Sequence, residues 1–163
     1  MRIADYYPNS IVNGEGVRQV LFTQGCKHHC EGCHNPQTWA MDEGTNYSTK
    51  ELVSMLLENP YDLTISGGEP FLQINELIML CVKLHNFKNI WVYTGYTYEQ
   101  IIQSKSLSQV LPFIDVLVDG RFELGLRDTS LVFRGSSNQR IIDVPKSLQA
   151  GEVVLLCGTS SPV

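Results

Sequence analysis

The chain has 163 residues, the size of one ordinary domain, and 43% of them are apolar, which excludes a disordered majority and a second large core. The net charge is -5 with Lys and Arg scattered singly, which excludes the basic face of a nucleic-acid binder. No apolar run approaches the ~20 residues of a membrane span, and Met1-Arg2-Ile3-Ala4-Asp5 lacks the apolar core of a signal peptide, so a cytoplasmic protein is expected.

Residues 1–17 read as irregular, with Pro8 and an Asn13-Gly14-Glu15-Gly16 turn. Gln19–Thr23 is the first expected strand, because Val20, Leu21 and Phe22 form a continuous apolar run suited to a strand covered on both faces. It leads into Gln24-Gly25-Cys26-Lys27-His28-His29-Cys30-Glu31-Gly32-Cys33-His34-Asn35. Ser48 and Glu51 form a capping-box pattern ahead of Leu52, Met55 and Leu56, and Pro60 ends that helix. A second strand, Leu63–Ser66, ends in Gly67-Gly68-Glu69-Pro70. Ile74, Leu77, Ile78, Cys81 and Leu84 recur at helical spacing to about Asn86. Ile90–Thr94 is a third strand ending in Gly95, and Thr97 with Gln100 caps a short helix through Ile101 and Ile102. Ile114–Val118 is a fourth strand ending in Asp119-Gly120. Beyond it, Leu131–Phe133, Gln139–Ile142 and Val153–Leu156 each read as possible strands, and the tail at 158–163 as loose.

Strands that alternate with helical patterns and end in glycine or a polar residue predict a parallel α/β sheet. A complete eight-unit βα barrel needs about 250 residues, so a single domain of this length forms at most a partial, open barrel. Ligands in such architectures sit at the carboxyl ends of the strands, where the cysteine loop and the glycine pair fall.

The loop carries three cysteines in the spacing C-x3-C-x2-C, with no fourth nearby. Three thiolates hold three corners of a cubane iron–sulfur cluster, and the remaining iron then takes a ligand from outside the chain. A four-cysteine site closes such a cluster for electron transfer. Zinc is the rival, as three Cys plus His28, His29 or His34 would make a Cys3His site. Structural zinc sites usually set two ligand pairs well apart, so the spacing favours iron–sulfur. Five cysteines without an export signal argue against disulfides.

The flanking residues resemble the radical S-adenosylmethionine (SAM) superfamily, and within it the glycyl-radical-enzyme activases. The resemblance is carried by Val12-Asn13-Gly14-Glu15-Gly16-Val17-Arg18, Phe22-Thr23-Gln24-Gly25-Cys26, Cys33-His34-Asn35 and Thr38-Trp39. The branch that activates anaerobic (class III) ribonucleoside-triphosphate reductases is matched further. Its residues here are Tyr6-Tyr7-Pro8, Trp91–Tyr96, Val116–Gly120 and Arg134–Gln139, so the resemblance spans about residues 6–139. It implies a single-domain partial βα barrel of the radical SAM type with parallel strands, its core at about 6–142. It implies a 4Fe-4S cluster on Cys26, Cys30 and Cys33. It also implies SAM contacts from Gly32, Cys33, His34, Gly67, Gly68, Glu69, Thr94 and Gly95, with Glu69 holding the amino group. Gly32 departs from the superfamily pattern, which usually has an aromatic residue before the third cysteine.

The activity so implied is reductive cleavage of SAM to a 5′-deoxyadenosyl radical that generates a glycyl radical on the large subunit of the anaerobic reductase. Reduced flavodoxin is the implied electron donor. The alternatives are activation of a pyruvate formate-lyase type enzyme, a zinc-stabilised binding module, and a radical SAM enzyme acting on a small molecule or an RNA base.

The same residues have plainer readings. Cys81 and Cys157 are expected to be small apolar residues, and His28 and His29 solvent-facing. His34 is expected to pack or to contribute backbone, and His85 to complement a helix end. The Gly67-Gly68 pair alone suits a turn. If it lines the cofactor, Gly68→Val keeps the cluster and weakens SAM binding. Asp119 matches a cation-holding aspartate of related activases, but the position of its partner carries Tyr93, so no cation is assigned.

Overall fold

Alternating apolar runs and capped helical segments build one sheet with helices on one side. A computed structural model describes residues 1–156; Cys157 and the tail at 158–163 lie outside the described residues. The strands are β1 (Arg2–Ser10), β2 (Arg18–Thr23), β3 (Thr45–Asn46), β4 (Asp62–Gly67), β5 (Ile90–Tyr93), β6 (Val116–Asp119) and β7 (Arg140–Asp143). The helices are α1 (Thr49–Glu58), α2 (Ile74–Leu84), α3 (Tyr98–Gln103) and α4 (Val144–Ala150).

The sheet order is β3-β1-β2-β4-β5-β6-β7. The four middle strands β2, β4, β5 and β6 are parallel, as expected, and β1 and β7 bound them antiparallel. β3 and β7 remain as edges, so the sheet is open rather than closed. One row of paired residues, Leu21, Ile65, Val92, Leu117 and Ile142, crosses five strands and lies in the main core. The next row, Val20, Thr64, Trp91 and Val116, points to the opposite face because strand side chains alternate.

The helices cover the first row. Ser48 Oγ accepts from Glu51 N, and the Glu51 carboxylate accepts from Ser48 N at 2.7 Å, which fixes the start of α1. Leu52 and Leu56, one turn apart, are then fully buried, each contributing about 2 kcal/mol. α2 presents Leu77, Leu80, Cys81 and Leu84 to the same core, and Thr97 and Gln100 cap α3 reciprocally. Among the described residues, no helix is long and apolar enough to cross a membrane.

Four elements differ from expectation. Residues 2–10 form a strand rather than irregular chain. The segment is polar and half-exposed, so its order comes from pairing with the free edge of β2, and no apolar periodicity announces it. Pro8 falls where the pairing skips between Tyr7 and Ser10, so its missing N–H interrupts no ladder bond. Leu131–Phe133 forms no strand; Phe133 has φ 58°, and its carbonyl accepts from Tyr93 Oη at 2.8 Å. Val153–Leu156 contributes a single bridge, from Leu155 to Ile142. Helix α4 was not anticipated, although Asp143 caps it, Pro145 opens it and Gly151 closes it at φ 74°.

Arg18 is 2% exposed on the face away from the helices. Its Nε donates to Thr64 Oγ1 at 2.8 Å, and its Nη2 to the carbonyls of Leu63 and Asn89 at 2.7 Å each. The guanidinium also lies 5.3 Å from the centre of the Trp91 ring. Burial pulls its pKa below the ordinary arginine value, with Asp62 and Asp115 opposing. Arg18→Met keeps the volume but strands buried carbonyls, so a loss of about 3 kcal/mol is expected in urea unfolding.

Candidate functional site

Parallel strands bring their carboxyl ends to one side of a sheet, and here each of the four ends in a turn. β2 runs into the cysteine loop, β4 into Gly67-Gly68-Glu69, β5 into Thr94-Gly95 and β6 into Gly120-Arg121-Phe122. These turns surround a cavity of about 630 Å3, a size typical of small-molecule sites. Cys26, Cys30 and Cys33 all line it. Gly67, Gly68, Thr94, Gly95 and His34 line it too. Its further walls come from Ile11–Asn13, Leu131–Phe133 and Arg134.

The cysteine loop is held by backbone. Gly25 N donates to the Thr38 carbonyl at 2.8 Å and Cys26 N to the Trp39 carbonyl at 3.2 Å. Cys33 N donates to the Cys30 carbonyl, and Asn35 N to Cys33 Sγ at 3.4 Å. Burial pushes the Cys26 thiol above its ordinary pKa. Burial does the same at Cys30, where Cys33 adds to the effect. A cationic partner such as a bound metal favours the thiolate form of such groups. Among the described residues, no three Cys, His, Asp or Glu side chains are gathered as the ligands of a single ion.

The glycine pair is explained by close approach to β2. A Cβ on Gly68 would stand 2.3 Å from the Gly25 carbonyl oxygen, and one on Gly67, at φ 100°, 2.5 Å from Thr23 N. The close neighbour is thus the root of the cysteine loop. This corrects the expectation for Gly68→Val, since a side chain there displaces the peptide next to Cys26 before it reaches any cofactor.

Glu69 is 1% exposed and sits behind the cavity wall. Its Oε1 accepts from Thr94 Oγ1 at 2.8 Å and Phe71 N at 3.0 Å. Its Oε2 accepts from Gly95 N at 2.8 Å and pairs with His28 Nε2 at 2.8 Å. His28 is therefore turned inward rather than solvent-facing, because a buried carboxylate between two strand ends needs a donor from the loop above. His29 is exposed as expected, at φ 48° with its ring 4.8 Å from that of Trp39. Gly32 is exposed at φ 71°, and a Cβ there would stand 2.8 Å from Leu124 Cδ1 and 3.4 Å from Phe122 Cε1, the ring of a residue that lines the cavity. His34 packs 5.0 Å from Phe122.

Asp119 accepts from Tyr98 N at 2.7 Å and pairs with Arg140, and Tyr93 is engaged with Phe133. Arg134 donates from Nη1 to the Gln139 carbonyl at 2.9 Å. Its Nε is buried without a hydrogen-bond partner among the described residues. The wall formed by Ile11, Val12 and Leu131–Phe133 was not read from the sequence. Ile11 and Val12 are 72% and 70% exposed, and an apolar pair beside a turn was the available signal.

Comparison with known proteins gives the site its context. Residues 12–142 match the family model described as a 4Fe-4S single cluster domain. The chain is 40% identical over 153 residues to the anaerobic ribonucleoside-triphosphate reductase-activating protein of Pasteurella multocida, covering 86% of this chain and 96% of that one. It is 39% identical over 151 residues to the protein of the same name from Salmonella typhimurium, and 38% over 151 residues to that of Escherichia coli, in both cases covering 85% of this chain and 96% of the relative. The chain belongs to the anaerobic ribonucleoside-triphosphate reductase-activating protein family. In this member of that family, the matched cluster domain contains all three loop cysteines and the turns after β4, β5 and β6.

The domain also contains Cys81, which is fully buried on α2 within the main core and whose thiol burial drives far above its ordinary pKa. Cys81→Ala is expected to cost about 1 kcal/mol and to leave the iron content of this activating-protein family member unchanged. Iron analysis beside thermal unfolding checks both.

Proposed function

We propose that the chain is a radical SAM activase that generates a glycyl radical on the large subunit of anaerobic ribonucleoside-triphosphate reductase. The observation that carries this reading is three thiols, without a fourth cysteine on their loop, opening onto one cavity beside the Gly67-Gly68 turn. The cluster domain match and the named relatives support it. Cys26, Cys30 and Cys33 would each hold one iron of a 4Fe-4S cluster, leaving the fourth iron to the amino and carboxylate groups of SAM. When bound, the reduced pair supplies a 5′-deoxyadenosyl radical able to take hydrogen from a backbone glycine.

The chain's own residues orient and shield. Gly67 and Gly68 keep the strand end free of side chains, and Thr94 and Gly95 form the adjoining wall. Gly32, Cys33 and His34 are assigned to the adenine side. The open sheet is read as the partial barrel of the radical SAM type. Its missing units leave room for a loop of a macromolecular substrate, and that partner would complete the exclusion of water. The exposed Ile11 and Val12 stand at the rim where such a loop enters. Reduced flavodoxin is proposed as electron donor.

Anaerobic mixing with SAM, a reductant and the reductase is expected to produce the electron paramagnetic resonance doublet of a glycyl radical. A doublet on pyruvate formate-lyase instead would reassign the partner, and fast SAM cleavage with no protein partner would point to a small substrate.

A further inference from the structure

The Glu69 carboxylate is held by four donors of this chain. A carboxylate offers about four acceptor sites, and Thr94 Oγ1, Phe71 N, Gly95 N and His28 Nε2 occupy two on each oxygen. Three of these donors belong to strand ends or the following turn. The fourth comes from the cysteine loop, between Cys26 and Cys30. A carboxylate only accepts, so Nε2 is the protonated nitrogen of His28. The imidazole is nearly enclosed, with 9% of its side chain exposed. Tyr96 meets its edge at 5.0 Å and 75°. Gly95 forms its floor, where a Cβ would stand 2.5 Å from His28 Cδ2 and 2.7 Å from Nε2.

We infer that His28 is a positioning residue that clamps the cysteine loop to the ends of β4 and β5 through Glu69. Gly95 is then glycine because the imidazole needs its space. The clamp fixes Cys26 and Cys30 relative to the Gly67-Gly68 turn, which sets the distance between cluster and cofactor. This inference rests on the proposed function for its consequence, but the clamp itself is a property of the chain.

The test compares the full chain with His28→Leu, which keeps bulk without a donor, His28→Gln, which keeps an N–H of similar reach, and Gly95→Ala, which evicts the ring. In the metal-free protein, amide hydrogen exchange at residues 26–33 is expected to rise about tenfold in His28→Leu and Gly95→Ala and to return close to wild type in His28→Gln. After anaerobic loading, SAM affinity measured by equilibrium dialysis is expected to fall about tenfold in the first two and to recover with Gln, at equal iron content. Unchanged exchange in His28→Leu overturns the clamp. Exchange that rises while SAM affinity stays at the wild-type level overturns its role in positioning. If the wild type takes up no iron and sulfide, the proposed function fails, and the exchange comparison still decides the clamp.

Discussion

Replacing Cys30 by Ala is expected to remove the visible absorbance of the anaerobically reconstituted protein and all glycyl radical formation. Cys30 lines the cavity at the middle of the loop, between Cys26 and Cys33. Its neighbours offer no substitute: His29 stacks on Trp39, and His28 is committed to Glu69. Two remaining thiolates leave two irons of a cubane open to solvent. The fold does not depend on this thiol, because the main core lies on the other side of the sheet, under α1 and α2. Iron and sulfide are therefore expected to drop below half of the wild-type content while the circular dichroism spectrum is retained. A Cys30→Ala protein with full cluster and activity would remove that residue from the ligand set.

Gly68→Val is expected to have the second largest effect, and to act on the loop before the cofactor. The added Cβ would meet the Gly25 carbonyl oxygen at 2.3 Å, its carbon at 2.9 Å and the Thr38 carbonyl oxygen at 3.0 Å. All three are backbone atoms of the loop's foundation, where Glu69 N donates to the Gly25 carbonyl at 2.8 Å and Gly25 N to the Thr38 carbonyl at 2.8 Å. Relieving the clash breaks at least one of these bonds, so a loss of about 2–4 kcal/mol is expected. Cys26 is displaced with Gly25, and cluster uptake should fall together with SAM affinity. Unfolding by urea and iron analysis on Gly68→Ala, which carries the same Cβ, separate this from a pure cofactor effect: normal stability and iron with weak SAM binding would restore the cofactor as the nearest neighbour.

How far the sequence disclosed this arrangement depends on the kind of force at each place. The parallel middle of the sheet was legible, because strands buried on both faces must be apolar throughout, as Val20-Leu21-Phe22 and Ile90-Trp91-Val92 are. Helices α1 and α3 announced themselves through local capping residues, Ser48 with Glu51 and Thr97 with Gln100. β1 did not, since its order is borrowed from β2 and its exposed positions carry no pattern. Leu131–Phe133 resembled a strand because an apolar run looks the same whether it pairs or walls a cavity. At the site, the three cysteines and the glycine turns were legible from spacing and from strand ends. The inward turn of His28 was not, because it is fixed by Glu69, 41 residues away in sequence. The reason for Gly68 was hidden likewise: the atom it must avoid belongs to Gly25, across a parallel strand pair.

Cys26, Cys30 and Cys33 are expected to carry an iron–sulfur cluster at the open end of this sheet. Iron, acid-labile sulfide and zinc quantified in the chain purified without oxygen decide between this and the zinc reading. About four iron and four sulfide per chain are expected, with zinc absent. A colourless protein holding zinc and no sulfide would remove the cluster from these thiols.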